Sequence, residues 1–281
     1  MPRFALVVVP VAALLMLTAC TAVLPAVAPD TESVKQPGQL TYVSLGDSYA
    51  TGYGPNGPGE SFAQIVARQE NLHLVNLACN GATSADLLTQ PACGPETEGR
   101  TQVDATVDAL RTGEVGLVTM VIGANDLLEP CAVAEDPGSC ATAAATDTRN
   151  NIGTMLTKMR EAAPDVKIVG LSYPDVFLGA WVNPEFSNGE DVARASVKLY
   201  EDFNGEIAAE YAKFGASYVD VTSRTGGYGA LTDLTQDPKY GEIPSPVAEV
   251  CALTHYCDQG DVHPTPAGHQ AIADAVIAAG R

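Results

Sequence analysis

The chain has 281 residues, of which 46% are hydrophobic and 17% charged, a composition typical of a globular protein. It carries 15 Lys and Arg against 34 Asp and Glu, for a formal net charge of −19 at pH 7. Such an acidic surface repels phosphate backbones and anionic lipid headgroups, which argues against nucleic acid as a partner.

The N-terminal segment has the pattern of an export signal. Arg3 supplies one positive charge, and residues 4–19 are then uncharged and almost wholly apolar. The run is too short to span a membrane comfortably, since a spanning helix needs ~20 apolar residues, and Pro10 interrupts it. We therefore expect residues 1–19 to be a signal peptide.

The signal ends in Leu17-Thr18-Ala19-Cys20, which resembles the bacterial lipobox. The resemblance implies cleavage before Cys20 and lipidation of that residue, which anchors the protein to a membrane outside the cytoplasm. An ordinary signal peptide that happens to end near Cys20 is the alternative. Residues 20–38 mix Pro, Ala, Ser and charged residues without a period, which predicts a flexible tether before a single domain at residues 39–281.

The six remaining cysteines form an even set in an exported chain, where disulfides are expected. The simplest pairing joins neighbours along the chain: Cys79–Cys93, Cys131–Cys140 and Cys251–Cys257. The alternative, a metal site, takes its ligands from Cys251, His255, Cys257 and His263. It lacks a C-x-x-C pair, so disulfides are favoured and no metal is expected.

Short runs rich in β-branched residues alternate with helical patterns in the rest of the chain. The predicted strands are residues 42–45, 74–77, 117–122, 166–171 and 218–221. Runs this apolar suit strands covered on both faces. The predicted fold class is therefore α/β, a three-layer α/β/α arrangement around a central, mainly parallel five-stranded sheet.

Capping residues and apolar spacing locate the helices between these strands. Ser61 and Gln64 resemble a capping box that opens the first helix, and Thr265 with Pro266 begins the last one. Apolar residues at helical spacing mark three of the helices: Ile152, Met155, Leu156 and Met159; Leu199, Phe203, Ile207 and Tyr211; and Ile272, Ala275, Val276 and Ala279.

In parallel sheets, ligands bind outside the carboxyl ends of the strands. Residues 46–52, 78–83 and 123–126 follow the first three predicted strands, and residues 261–265 precede the last helix. We expect these four segments to converge at one edge of the sheet. In this order they resemble the SGNH (GDSL-type) hydrolase superfamily, and actinobacterial secreted lipase-like esterases look closest. The resemblance covers residues 40 to about 280 and implies a flavodoxin-like fold.

The resemblance implies a role for each residue that matches the family's motifs. Ser48 is the expected nucleophile, and His263 is the base that takes the proton of its otherwise unreactive hydroxyl. The oxyanion hole is expected from the backbone N–H groups of Ser48 and Gly81 and the side-chain amide of Asn125. A Cys79–Cys93 bridge would brace the loop that presents Gly81. Such a mechanism needs neither metal nor organic cofactor.

Two positions depart from the family pattern. Tyr49 stands where the name-giving motif has Leu, a difference that we do not expect to affect the chemistry. The family places the third triad member three residues before the histidine, where this chain has Gly260. Asp261, Asp258 and a backbone carbonyl, which leaves a Ser–His dyad, are the alternatives, and we favour Asp261 as the residue that orients His263.

The other histidines, two aspartates near the motifs and an apolar segment are expected to have structural rather than catalytic roles. Three histidines are expected at a strand beginning, on the surface or on a helix: His73, His255 and His269. Asp47 and Asp126 are expected to hold loops by hydrogen bonds. The apolar residues in 177–186 fit core packing better than an acyl pocket, and residues 225–254, rich in Gly and Pro, are a candidate to shape the substrate site.

The leading hypothesis is a lipid-anchored serine esterase outside the cytoplasmic membrane. Its expected substrates are acyl-lipid esters, or acetyl esters on envelope or environmental glycans. The alternative is a catalytically silent envelope lipoprotein that binds a lipid or glycan ligand on the same scaffold. The presence of Ser48, Gly81, Asn125 and His263 together argues for the enzyme.

Overall fold

A parallel sheet forms the centre of the molecule. The computed structural model describes residues 34–94, 97–132 and 134–280. The strands of the sheet are β1 (Thr41–Gly46), β2 (His73–Asn76), β3 (Val115–Val121), β4 (Ile168–Leu171) and β5 (Ser217–Val219). Their order is β2-β1-β3-β4-β5, and every neighbouring pair is parallel. This is the flavodoxin-like order, which confirms the predicted α/β fold class.

Helices cover both faces of the sheet. They are α1 (Ser48–Thr51), α2 (Phe62–Gln69), α3 (Asp86–Thr89), α4 (Gln102–Arg111), α5 (Ala124–Ala132), α6 (Pro137–Ala162), α7 (Gly189–Lys213), α8 (Val221–Arg224), α9 (Ser245–Leu253), α10 (Tyr256–Gln259) and α11 (Pro266–Ala279). A 3₁₀ helix spans Val176–Trp181, and an antiparallel hairpin joins β6 (Leu234–Asp237) to β7 (Gly241–Pro244).

The predicted capping residues begin the helices as expected. The Ser61 hydroxyl accepts the Gln64 N–H while the Gln64 side chain accepts the Ser61 N–H, a complete capping box for α2. Thr265 caps α11, and Pro266 occupies its first position. The fifth strand is shorter than predicted, because the Asp220 side chain caps α8 and the chain is helical from Val221.

Two hydrophobic layers sandwich the sheet. One face packs on α2 and α11, and the other on α4, α6 and α7. The stripe predicted for α6 is fully buried, with Met155, Leu156 and Met159 completely inaccessible to solvent. On α7, Ile207 and Tyr211 are buried but Leu199 is 52% exposed, because the beginning of this helix packs through Ala193 instead. Burial on both faces explains the unbroken apolar runs of the strands.

The apolar residues after β4 belong to the core, as expected. The 3₁₀ helix packs against α7 and α9, and its Leu178 is buried with Val247 and Val250. Phe177 and Phe186 are partly buried around the ring of Tyr256. We therefore assign this segment to packing, where large apolar side chains are stabilised by removal from water.

The three disulfides join Cys79 to Cys93, Cys131 to Cys140 and Cys251 to Cys257. Because Cys251 and Cys257 share a disulfide, they do not offer the thiolates that a metal site built on them requires. Among the described residues, no group of three or more His, Cys, Asp or Glu is arranged to hold a metal ion.

The expected signal peptide, residues 1–19, and the expected lipidation site, Cys20, lie outside the described residues. The last residues of the expected tether are described, and there Lys35 Nζ lies 2.5 Å from a carboxylate oxygen of Glu114. In the described ranges, none of the helices has the length and apolar character needed to cross a membrane.

Candidate active site

The expected nucleophile lies where β1 ends. Gly46 has a φ of +138°, and a Cβ there would lie 2.2 Å from the carbonyl oxygen of Val121, so the close approach of β1 and β3 requires glycine. Asp47 caps α1, and its carboxylate accepts the N–H of Tyr49 at 3.0 Å. Ser48 is the first residue of that short helix, at the carboxyl edge of the sheet.

A glutamine holds this turn in place. The amide of Gln102 accepts the N–H of Gly46 at 2.8 Å and donates to its carbonyl oxygen at 3.0 Å. Gln102 is 2% exposed and lies at the beginning of α4. Sequence reasoning missed this residue, because only the tertiary contact between α4 and β1 reveals its function.

The expected base lies between α10 and α11, in a loop that is fixed at several points. The His263 carbonyl accepts the N–H of His255 at 3.0 Å, and Thr254 pairs with Pro264 in an isolated β-bridge. The Cys251–Cys257 disulfide joins the two preceding helices. This loop brings His263 Nε2 within 2.9 Å of Ser48 Oγ, across 215 positions of sequence.

Asp261 is the acid that contacts the imidazole. Its Oδ1 lies 2.7 Å from His263 Nδ1 and accepts the backbone N–H of His263 at 2.9 Å. Gly260 ends α10 with a φ of +65°, which turns the chain so that an acid two residues before the histidine reaches the ring. Asp258 points to the hairpin instead, where it contacts the ammonium of Lys239 and the hydroxyl of Tyr240.

The candidate oxyanion donors come from the loops after β2 and β3. Gly81 is exposed and has a φ of +75°, and the Cys79–Cys93 disulfide joins its loop to the following segment. The amide of Asn125 donates to the Ala82 carbonyl at 2.9 Å, and Asn125 Nδ2 lies 3.5 Å from Asp47 Oδ2. Asn125 therefore bridges the residue after Gly81 and the residue before Ser48.

Asp126 holds these two loops together, as expected. Its carboxylate accepts the N–H of Ser84 at 2.8 Å and the hydroxyl of Ser84 at 2.5 Å. Asn151 on α6 donates to the same hydroxyl at 2.9 Å. Burial raises the pKa of the Asp126 carboxyl above its usual range.

Asp47 also holds a loop by hydrogen bonds, and it is more deeply buried than Asp126. Its carboxyl is buried and accepts the hydroxyl of Tyr173 at 2.5 Å, and burial raises its pKa to about 7. Sequence reasoning missed Tyr173. The signal was available, because Tyr173 follows β4 at the same edge of the sheet where the other motifs follow their strands.

The remaining histidines occupy structural positions. His73 begins β2, and His255 is half-buried immediately before α10. His269 lies on α11 and is buried rather than on the surface. Its Nδ1 accepts the N–H of Phe62 at 3.3 Å, so it joins α11 to α2.

The motifs and their geometry agree with a comparison to known families. The model of the GDSL-like lipase/acylhydrolase family matches residues 44–271. The chain belongs to this family. Membership makes it a carboxylic ester hydrolase, and the match includes every strand of the sheet except the first residues of β1.

Individual relatives of this GDSL-like hydrolase are distant. A curated protein named Lipase 2 from Streptomyces coelicolor is 24% identical over 231 residues, which cover 68% of this chain and 72% of the relative. The fold of this chain is similar to that of an extracellular lipase from Streptomyces rimosus, with TM-score 0.54, 19% identity and coverage of 85% of this chain and 99% of the other. It is also similar to phospholipase A1 from Streptomyces albidoflavus, with TM-score 0.50, 17% identity and coverage of 86% and 99%.

Proposed function

We propose that this chain is a lipid-anchored, extracytoplasmic serine esterase that cleaves acyl-lipid esters through an acyl-enzyme on Ser48. The observation that carries the proposal is the continuous contact from Ser48 Oγ to His263 Nε2 at 2.9 Å and from His263 Nδ1 to Asp261 at 2.7 Å. This is the nucleophile, base and orienting acid that activate a hydroxyl for acyl transfer.

Acylation begins when Ser48 Oγ attacks the ester carbonyl carbon and His263 Nε2 takes the hydroxyl proton. The carbonyl oxygen becomes an oxyanion, for which the N–H groups of Ser48 and Gly81 and the amide of Asn125 are the proposed donors. The C–O bond to the alcohol then breaks, and His263 returns the proton to the departing oxygen. Water repeats the sequence on the acyl-enzyme and releases the carboxylic acid.

Asp261 fixes the tautomer that this chemistry needs. A carboxylate at Nδ1 accepts a hydrogen bond, so Nδ1 carries the proton and Nε2 presents a lone pair to Ser48. When His263 becomes an imidazolium, the negative charge of Asp261 stabilises it. The two side chains are 13% and 23% exposed, which limits the screening of this interaction by water.

Acyl-lipid esters are the proposed substrates. The relatives support this class, since those described above are named as lipases or as a phospholipase. The side chain of Tyr53 supports it as well, because it is 41% exposed and its ring lies 5.0 Å from that of His263. An exposed aromatic ring beside the base offers an apolar contact to a substrate.

The nucleophile is tested with a fluorophosphonate probe and p-nitrophenyl esters of increasing chain length. We expect one label per protein, turnover of the esters, and the loss of both in Ser48→Ala. Highest kcat/KM on long acyl chains supports a lipid substrate, and highest kcat/KM on acetate supports glycan acetyl esters instead. A folded protein that neither labels nor hydrolyses any of the esters is the silent binding lipoprotein.

Extracytoplasmic anchoring is proposed from the lipobox-like residues before Cys20 and from three disulfides, which persist in oxidising compartments. A thioether-linked lipid with further acylation supplies the two hydrophobic anchors that stable membrane attachment requires. In cell fractionation, we expect the wild-type protein to be recovered with the membranes and the Cys20→Ser variant to be recovered in the soluble fraction or the medium. Equal partitioning of the two proteins contradicts the anchor.

A further inference from the structure

Tyr49 connects the nucleophile to the loop that carries the base. Its side chain is buried, and its hydroxyl donates to the carbonyl oxygen of Val262 at 2.5 Å. Tyr49 directly follows Ser48, and Val262 directly precedes His263. We propose that Tyr49 is a positioning residue whose hydroxyl sets the geometry between Ser48 and His263. The proposal rests on the proposed function.

Tyr49 and Asp261 hold the two ends of the peptide group between Val262 and His263. The carbonyl of Val262 and the N–H of His263 belong to the same planar unit. The N–H donates to Asp261 Oδ1 at 2.9 Å, and the carbonyl accepts from Tyr49. With both polar atoms bound, this plane cannot rotate without breaking a hydrogen bond, and the direction of the His263 side chain is fixed with it.

A second tyrosine anchors Tyr49 from the opposite side. The rings of Tyr49 and Tyr173 pack edge to face with centroids 4.9 Å apart, and the Tyr173 hydroxyl donates to Asp47. The two hydroxyls therefore bind the residues before His263 and before Ser48. Burial raises the pKa of both tyrosines well above the usual value, so both remain hydrogen-bond donors at assay pH.

The leucine that the family motif has at this position has no donor for Val262, so this proposal replaces the expectation that the difference at Tyr49 leaves the chemistry unaffected. Removal of the hydroxyl frees one end of the peptide plane while Asp261 still holds the other. We expect the productive Ser48–His263 contact to be populated less often, which slows both chemical steps and leaves substrate binding unchanged.

The test compares Tyr49→Phe and Tyr49→Leu with a matched control, Tyr42→Phe. Tyr42 is a buried residue of β1 whose hydroxyl bonds Thr119 Oγ1 at 2.7 Å, away from the His263 loop. We expect kcat to fall about tenfold in both Tyr49 variants, with KM within about twofold of wild type. Tyr42→Phe lowers the melting temperature and leaves kcat unchanged. Unchanged kcat in the Tyr49 variants, or an equal loss in the control, overturns the proposal.

Hydrogen exchange at the His263 amide provides a readout that does not depend on turnover. We expect faster exchange in Tyr49→Phe and Tyr49→Leu than in wild type and Tyr42→Phe, because the loop opens more often. Equal protection in all four proteins overturns the role of Tyr49, whatever the substrate. If wild type neither labels nor turns over esters, the proposed function fails, and the exchange rates still decide whether Tyr49 fixes the loop. Tyr49→Leu alone decides it if Tyr49→Phe does not fold.

Discussion

At the scale of single residues, the site depends on which of two acids near His263 contacts its imidazole ring. Asp261 and Asp258 are only three positions apart, yet they face different partners. Gly260 lies between them with a left-handed backbone that ends α10 and turns the chain. The hydrogen bond between Asp258 and Lys239 lowers the pKa of the Asp258 carboxyl below its usual range, so this acid is a charged partner of the hairpin.

The two acids are expected to respond differently to the same substitution. Asp261→Asn removes the charge that stabilises the imidazolium and no longer fixes the tautomer, so kcat/KM should fall by about 10²–10⁴. Asp258→Asn disturbs an exposed ion pair, and we expect kcat/KM to stay within about twofold. Both are measured by ester hydrolysis in purified variants. Equal losses in the two variants, or none in Asp261→Asn, contradict the assignment.

The residues that sequence reasoning found and those it missed differ in a physical way. Ser48 and Asn125 stand in local motifs at strand ends and His263 in one before the last helix, and the resemblance of these motifs to the SGNH superfamily marks all three. Gln102 supports the site through a contact with a distant strand, which leaves no local pattern, whereas the position of Tyr173 just after β4 is a signal that the sequence reasoning did not use. For Tyr49 the difference from the motif is visible in the sequence. The bond to Val262 is not, because it depends on how α1 and the loop before α11 meet.

At the scale of elements, the site consists of loops at the carboxyl edge of the sheet and the loop before α11, and two disulfides brace the segments that carry Gly81 and His263. The predicted strands and long helices are confirmed, because the strands are unbroken apolar runs and the helices repeat apolar residues at helical spacing. The sequence does not predict the β6–β7 hairpin, since each strand has only four residues and buries at most two, Ile243 and Pro244 of β7, which is too short a pattern to indicate a strand. It nevertheless contacts α10 through Lys239, so residues 225–254 contribute to the surroundings of the His263 loop.

Two of the disulfides form a matched pair for testing this arrangement. Cys251–Cys257 and Cys131–Cys140 close short loops, with sequence separations of 6 and 9. Their removal as paired serine variants should cost a similar free energy of unfolding, about 2–3 kcal/mol each. Only the first pair joins α9 to α10 immediately before His263. We therefore expect kcat to fall about tenfold without Cys251–Cys257 and to stay within about twofold without Cys131–Cys140.

Denaturant unfolding and steady-state kinetics on both double variants provide the measurement. Equal stabilities with unequal kcat values indicate that the first disulfide positions the loop. If kcat falls by the same factor in both variants, the loss reflects general destabilisation, and the prediction is wrong.

At the scale of the whole molecule, buried titratable groups make the stability of the fold depend on pH. Burial raises the pKa of Asp47 to about 7 and that of Asp175 to about 6, and it lowers the pKa of His269 to about 4. The acids favour the fold while they are protonated, and the histidine favours it while it is neutral. Their contributions therefore oppose each other between pH 4 and 7.

His269 provides the sharpest test of this balance. Between pH 6.5 and 4 the unfolded chain binds a proton at this histidine that the folded state does not, so wild type loses stability as pH falls. In His269→Gln this contribution is absent, and wild type should lose about 3 kcal/mol relative to the variant over that range. Asp47→Asn is the control of opposite sign, because wild type should lose stability relative to it as pH rises from 4 to 7. Urea unfolding at several pH values measures both differences, and a pH-independent difference for His269→Gln contradicts the prediction.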